Sequence, residues 1–457
     1  MIVTLSWMSA DPSHPAPGAP GATGAPAALP RVVGVFGAVM MGLGSIVGTG
    51  VFVSIGIATG VAGPSVILAI LVAALVATAN GMSSAQLAAA HPVSGGTYEY
   101  GYRVLHPSLG FTAGWMFLCA KSASAATAAL GFAGYLLAVM QVRGEGAGWI
   151  VRVPIALVAV IALTVIVLAG LRRSNAMNIV IVSITLSVLA FFIILCAPSA
   201  MSEGSKNLSP FFPPTDATPR LLEACALMFV AYTGYGRIAT LGEEITNPKR
   251  NIPIAIIITL IVSAVLYIAV ALAGVGAVGV VVFGVEGAGR GAPLEVTAQH
   301  VSGHWAGLVI TIGAITAMLG VLLNLILGLS RVALAMGRRG DLPAGLGKLD
   351  ASGSTPRHAV IFVSVIIGGL ALIGNVKTAW SFSAFTVLIY YAITNLAALR
   401  LPREARLYPR WISVAGLAGC VFLAFWVDVM IWLVGLGLIG AGLLWHVVMR
   451  RRAAARP

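Results

Sequence analysis

Two glycine pairs and two cations set inside apolar runs are the residues in this chain whose types and spacing could do chemistry. In "SIVGTGVF", Ser45 to Phe52, Gly48 and Gly50 flank Thr49. In "FVAYTGYGRIATLGEE", Phe229 to Glu244, Gly234 and Gly236 flank Tyr235. Glycine costs about 1 kcal/mol relative to alanine inside a helix, so each pair marks a weak point. A helix broken there offers free N–H groups and its positive dipole end at the start of the second half, which suits a carboxylate. The first half ends in free carbonyls, which suit an ammonium or another cation. One zwitterion satisfies both. The competing reading is that these glycines only allow close helix packing, and the chain has 54 glycines. The cations are Lys121 in "FLCAKSASAAT" and Arg237, two residues past Tyr235.

These groups sit in a chain of 457 residues that is 59% hydrophobic and 9% charged. A soluble globular protein carries about 25% charged residues, so the composition defines an integral membrane protein. Cys119, Cys196, Cys225 and Cys420 all lie in apolar runs with no metal or disulfide spacing, and read as small packing residues. The histidines are scattered over tail, loops and helix ends. No catalytic, metal or cofactor constellation emerges, so the chain is not read as an enzyme. The Pro/Ala/Gly-rich residues 1–30 lack a basic region followed by an apolar one, and read as a disordered tail rather than a signal peptide.

A helix needs about 20 apolar residues to cross the hydrocarbon core. Twelve such segments are found, at about 33–60, 64–90, 108–140, 149–171, 176–198, 219–243, 252–277, 304–336, 357–375, 378–400, 409–427 and 429–448. The Gly-rich stretch 278–303 is expected on the outer surface or at the membrane edge. With the N-terminus inside, inner loops and tails hold 19 of the 27 Lys and Arg and outer loops hold 6, Lys121 and Arg237 being the other 2. That asymmetry follows the positive-inside rule, and an even count returns the C-terminus to the same side. The net charge of +13 is therefore a topology signal and not a nucleic-acid footprint. The expected organisation is a transmembrane domain over 31–448 and a basic tail over 449–457, in a plasma (inner) membrane with both termini cytoplasmic.

The first and sixth segments, which hold the glycine pairs, are five apart. Two inverted five-helix repeats, about 33–198 and 219–400 with two further helices at 409–448, would begin with these segments. Interrupted hydrophobic segments in matching positions of two halves point to a transporter binding site.

Four stretches then resemble one family. "GLGSIVGTGVFV", "PVSGGTYEYGYRVLHPSLGFTAGW" (Pro92 to Trp115), "GEEITNPKRNIP" (Gly242 to Pro253) and "SRVALAMGRRGDLP" (Ser330 to Pro343) are similar to the amino acid–polyamine–organocation (APC) permeases, which share the leucine-transporter fold. The resemblance runs from about residue 33 to 400, and the last two helices match only in hydropathy. It implies secondary transport of amino acids or related amines by alternating access, by proton symport or exchange. It implies that a substrate carboxylate lies against Val47, Gly48, Thr49 and Gly50. The ammonium would face carbonyls near Ile46, Phe229, Ala231 and Tyr232, and Tyr235, next to Gly234, would be an aromatic gate. The implied partners are the small-molecule substrate, a proton and the lipid bilayer.

Two residues depart from the family pattern. An acidic residue is common shortly after the sixth-helix aromatic, where this chain has Gly236 and Arg237. Arg237 either pairs with Glu243 or Glu244 or faces the substrate; a mid-membrane Arg is costly and functional or paired. Some relatives carry a lysine in the fifth helix in place of a sodium ion. Here the fifth helix has none, and Lys121 in the third is the candidate to supply that charge and carry a proton, against a snorkelling alternative. Asn324, Tyr390, Tyr391 and Asn395 read as interhelical hydrogen-bonding residues. The rival classes are a channel, which would show a charge ring or filter repeat, and a transport-dead sensor on the same fold.

Overall fold

In hydrocarbon every backbone N–H and C=O must find a partner within the protein, which leaves helices as the economical form for apolar segments. The computed structural model describes residues 33–91, 96–140, 142, 148–170, 175–240, 245–350 and 355–454. It is all-helical, with no strand among the described residues beyond an isolated bridge between Val33 and Ile245.

The first apolar segment is α1 (Val35–Ile46) and α2 (Ile55–Ala62), separated by a break at Val47–Thr49 and a π-helical turn, Gly50–Ser54. Then follow α3 (Val66–Ala90), the short amphipathic α4 (Thr97–Val104), α5 (Pro107–Val139), α6 (Trp149–Leu168) and α7 (Asn175–Asn207). The sixth apolar segment is also divided, into α8 (Ala217–Tyr232), a 3-10 turn at Thr233–Tyr235, and α9 (Gly236–Thr240). The remainder comprises α10 (Pro248–Val280), α11 (Gly287–Arg290), α12 (Pro293–Ser302), α13 (His304–Arg339), α14 (Arg357–Ala371), α15 (Val376–Leu399), α16 (Arg410–Ala424) and α17 (Val429–Ala454).

The described residues of the apolar segments are mainly helical. Among the described residues, eight helical stretches are long and apolar enough to cross a bilayer, Val35–Ala90 being the longest, and α14 and α16 are shorter apolar helices. Three boundaries differ from the sequence pattern. The fifth segment does not stop at 198: α7 runs through Pro198 to Asn207. The stretch 278–303 kinks at Gly279 (φ 76°), turns through a π-helical segment, and packs α12 with Glu295 and its neighbours buried. The basic tail begins inside α17, which continues to Ala454. The expected disordered tail over 1–30 lies outside the described residues.

A large buried core runs through the described residues, with a small second cluster of Leu87, Tyr100, Ala397, Ala398 and Leu401. α5 lies at the centre of the large core, packed against α13 and α15, and α10 packs against α3 and α7. Small residues make this closeness possible: Ala120, Ala123, Ala125, Ala126, Ala128 and Ala129 of α5 are all fully buried.

Candidate substrate site

Both glycine pairs fall at real interruptions, and the two interruptions touch. In α1 the chain turns at Val47 (φ −83°, ψ 83°), and the Gly48 amide donates to Ile46 O at 3.0 Å. This is an inverse γ-turn. The second half restarts when the Val51 and Phe52 amides both return to Gly48 O, at 3.1 and 3.0 Å. The π-helical turn frees further carbonyls, and side chains take them: Ser54 Oγ donates to Gly50 O, and Tyr135 of α5 donates to Phe52 O at 2.7 Å. In the sixth segment the break is tighter, a single 3-10 turn rather than an unwound stretch.

Tyr267 of α10 joins the two. Its hydroxyl lies 2.9 Å from Ile46 O and 3.1 Å from Ala231 O, carbonyls in the last turns of the first halves. A phenol has one proton, so it serves one carbonyl fully at a time. The glycines are as close to neighbours as the packing alternative requires. A Cβ on Gly234 would stand 2.5 Å from the Ser45 backbone, one on Gly48 2.5 Å from Val321 Cγ2, and one on Gly50 2.6 Å from the Tyr267 hydroxyl. The glycines therefore sit at the breaks and let the two breaks meet.

Lys121 reaches this junction from α5. Its Nζ donates to Thr233 Oγ1 at 2.7 Å, inside the sixth-segment turn, and Thr233 Oγ1 donates in turn to Val230 O at 2.7 Å. The ammonium thus points at a helix break and not along a snorkelling path to the membrane face. This bond joins the third apolar segment to the sixth. The Tyr391 hydroxyl of α15 donates to Thr233 O at 3.2 Å. Thr49 Oγ1 and, beside Lys121, Ser122 Oγ are buried with no hydrogen-bond partner among the described residues. Orphaned polar atoms of this kind are rare in folded proteins.

The remaining candidates are placed as follows. Phe229 is fully buried, its ring edge-on to Tyr391 at 5.7 Å. The Tyr232 hydroxyl donates to Ile70 O of α3 at 3.3 Å, and its ring packs on Tyr267 with centroids 5.2 Å apart. Tyr235 is fully buried, packed on Tyr391 with centroids 5.4 Å apart. Arg237 is half-buried, its guanidinium 3.9 Å from the Cβ position of Gly328 on α13; Glu243 and Glu244 lie outside the described residues. Asn395 does bridge helices, donating to the Tyr391 carbonyl at 2.8 Å and to Asn80 of α3. Sequence reasoning missed Tyr267, Thr233 and Tyr135. Only an aromatic hydroxyl deep inside an apolar run would have flagged the tyrosines. A separate cavity of about 320 Å³ lies beyond α2, bordered by Gly60, Arg152, Gly289, Asn375 and Lys377, away from the junction.

An all-helical membrane protein with two interrupted helices meeting at a polar junction has the architecture of a carrier. The comparisons with known proteins agree. The amino acid permease family model matches residues 37–451. The chain is 37% identical over 427 residues to an uncharacterised transporter of Mycobacterium tuberculosis, covering 93% of this chain and 92% of the relative. It is 30% identical over 443 residues to the branched-chain amino acid permease BcaP of Bacillus subtilis, covering 90% and 92%. It is 29% identical over 391 residues to the methylthioribose transporter of the same species, covering 82% of each. The chain belongs to the amino acid permease family, within the APC superfamily.

Proposed function

We propose that this permease is a secondary active carrier that moves amino acids or related amines across the plasma membrane by alternating access, coupled to protons. Its twelve spans form two inverted five-helix repeats plus two C-terminal helices, with both termini cytoplasmic. The substrate carboxylate binds the amides and the Thr49 hydroxyl at the start of the second half of the first span. The ammonium binds the carbonyls of Ile46 and Ala231, displacing the Tyr267 hydroxyl, whose single proton cannot serve both. Three ammonium donors can.

The observation that carries this reading is the bond from Lys121 Nζ to Thr233 Oγ1 at the junction of the two breaks. It puts a cation that can lose its proton beside the site that must open and close. Lys121 and Arg237 near the junction disfavour a cationic substrate side chain, and apolar neighbours such as Phe229 and Val321 suit an aliphatic one. Leucine is therefore the first substrate to test. The experiment is uptake of labelled leucine, with alanine and lysine as comparisons, into proteoliposomes. Accumulation against the leucine gradient under an imposed pH gradient supports the carrier. Equilibration without accumulation would favour a channel, and binding without flux a sensor.

A further inference from the structure

We infer that a buried polar path between α3, α15 and α16 carries the coupling proton from Lys121 to the cytoplasmic face. This inference rests on the proton-coupled reading of Lys121.

The path begins at the junction, where Lys121 Nζ meets Thr233 Oγ1 and the Tyr391 hydroxyl meets Thr233 O. One helical turn along α15, Asn395 donates to the Tyr391 carbonyl and to Asn80 Oδ1. Asn80 is also 3.2 Å from Cys420 Sγ of α16. One turn further along α3, Ser83 Oγ and Ser413 Oγ of α16 are 2.9 Å apart, and Gln86 Nε2 donates to Ser413 Oγ at 3.3 Å. Gln86 lies near the end of α3 and Ser413 in the first turn of α16, both at the face placed inside by the proposed orientation. Asn80, Ser83, Gln86, Asn395 and Ser413 are all at most 2% exposed. A buried polar line from mid-membrane to one face, between three mainly apolar helices, is costly unless used.

Two atoms of this line point to a further occupant. Asn395 Oδ1 and Gln86 Oε1 are buried without a hydrogen-bond partner among the described residues. Buried polar atoms of this kind recruit water. The steps from Tyr391 to Asn395 and from Asn80 to Ser83 are single helical turns with no direct side-chain bond across them, and the waters held at these orphaned acceptors are the proposed bridge. The amides do not relay protons themselves; they hold the waters that do. When Lys121 releases its proton, the ammonium becomes a neutral amine and the proton leaves as hydronium on the cytoplasmic side. The other titratable groups beside this route are Tyr235, Tyr390, Tyr391 and Cys420, with Arg237 two residues past Tyr235.

The alternative is that these side chains only glue helices together. The test compares Asn395→Leu and the Ser83→Ala/Ser413→Ala pair with the wild type and Lys121→Met in leucine-loaded proteoliposomes. Leucine counterflow at equal pH needs a folded, moving carrier but no net proton release. Accumulation driven by a pH gradient alone needs both. The expected result is that both path variants keep counterflow and lose gradient-driven accumulation. The path is overturned if both keep accumulation while Lys121→Met loses it, or if counterflow and accumulation fall together in both, as a helix staple predicts. Accumulation by Lys121→Met at the wild-type level would instead overturn the role of Lys121 itself.

Discussion

Two buried charges in this molecule are held in opposite ways. Asp341, just after α13, is 3% exposed and its carboxylate is saturated. It accepts from the Tyr98 hydroxyl at 2.7 Å, from the Tyr102 hydroxyl at 2.6 and 2.8 Å, and lies 3.1 Å from Nδ1 of His446 on α17. Its carbonyl takes Trp445 Nε1 at 2.9 Å. Around it Arg339 stacks over both tyrosine rings, at 5.2 and 4.2 Å, and pairs with Glu99 at 2.8 Å. Burial, then the bond to Asp341, pushes both α4 phenols well above their ordinary range, so they remain donors. Lys121, by contrast, has three protons to donate and, among the described residues, one hydrogen bond, to Thr233. A charge with every site filled fixes a geometry. A charge with sites to spare can change partners or protonation. The first is a staple between α4, α13 and α17, and the second is the proposed coupling group.

The largest expected effect on stability comes from emptying the staple. Asp341→Ala leaves two phenols and an imidazole buried without their acceptor, at a cost of about 3–5 kcal/mol. Thermal unfolding of the detergent-solubilised protein measures it. A shift as small as that of a surface substitution would show that the network is ornamental.

Next is Gly234→Val, which drives a side chain into the Ser45 backbone and is expected to cost about 2 kcal/mol by overpacking. It should also abolish leucine uptake, because the two breaks can no longer meet. A variant that melts as the wild type does and still transports would separate the breaks from one another and undo the junction.

Smaller still is Tyr102→Phe, expected to cost about 1 kcal/mol, since Tyr98 and His446 still satisfy Asp341. Uptake per folded molecule should be unchanged. Loss of transport at unchanged melting temperature would move the staple into the transport cycle.

How much of this was legible in the sequence follows from how local each signal is. The breaks were, because Gly48–Thr49–Gly50 and Gly234–Tyr235–Gly236 write a backbone irregularity into neighbouring residues. Lys121 was, because an ammonium inside an apolar run is conspicuous by itself. Its partner was not: Thr233 lies 112 positions away, and only the packing of α5 against the sixth segment joins them. Tyr267 is 221 positions from Ile46. Asp341 appeared only as part of a family-like stretch, and His446 as one of the scattered histidines, because their meeting depends on how α17 returns to α13. A histidine within the last apolar segment was the one local clue to that node. The form of the sixth-segment break, a single 3-10 turn, is also set by contacts from α10 and α15 and not by the glycines alone.

The smallest expected effect on stability, and the largest on coupling, belongs to Lys121→Met. Methionine keeps the length and apolar stem and removes the charge. Thr233 Oγ1 loses a donor but still donates to Val230 O, so no group is left orphaned. A buried charge with one hydrogen bond adds little net stability, and replacing it with an apolar group of similar volume is often neutral or favourable. The melting temperature should therefore stay within the equivalent of about 1 kcal/mol of the wild type. Leucine counterflow should persist, since the proposed site holds carboxylate and ammonium by backbone groups, while pH-driven accumulation should be lost. Lys121→Arg should fail in the same assay for a different reason: guanidinium does not give up its proton in a protein. If Lys121→Met unfolds as readily as Asp341→Ala, the contrast between the two charges collapses, and Lys121 becomes a second staple. If it is stable but still accumulates leucine on a pH gradient alone, the spare donors of Lys121 serve substrate or water, and the coupling proton travels elsewhere.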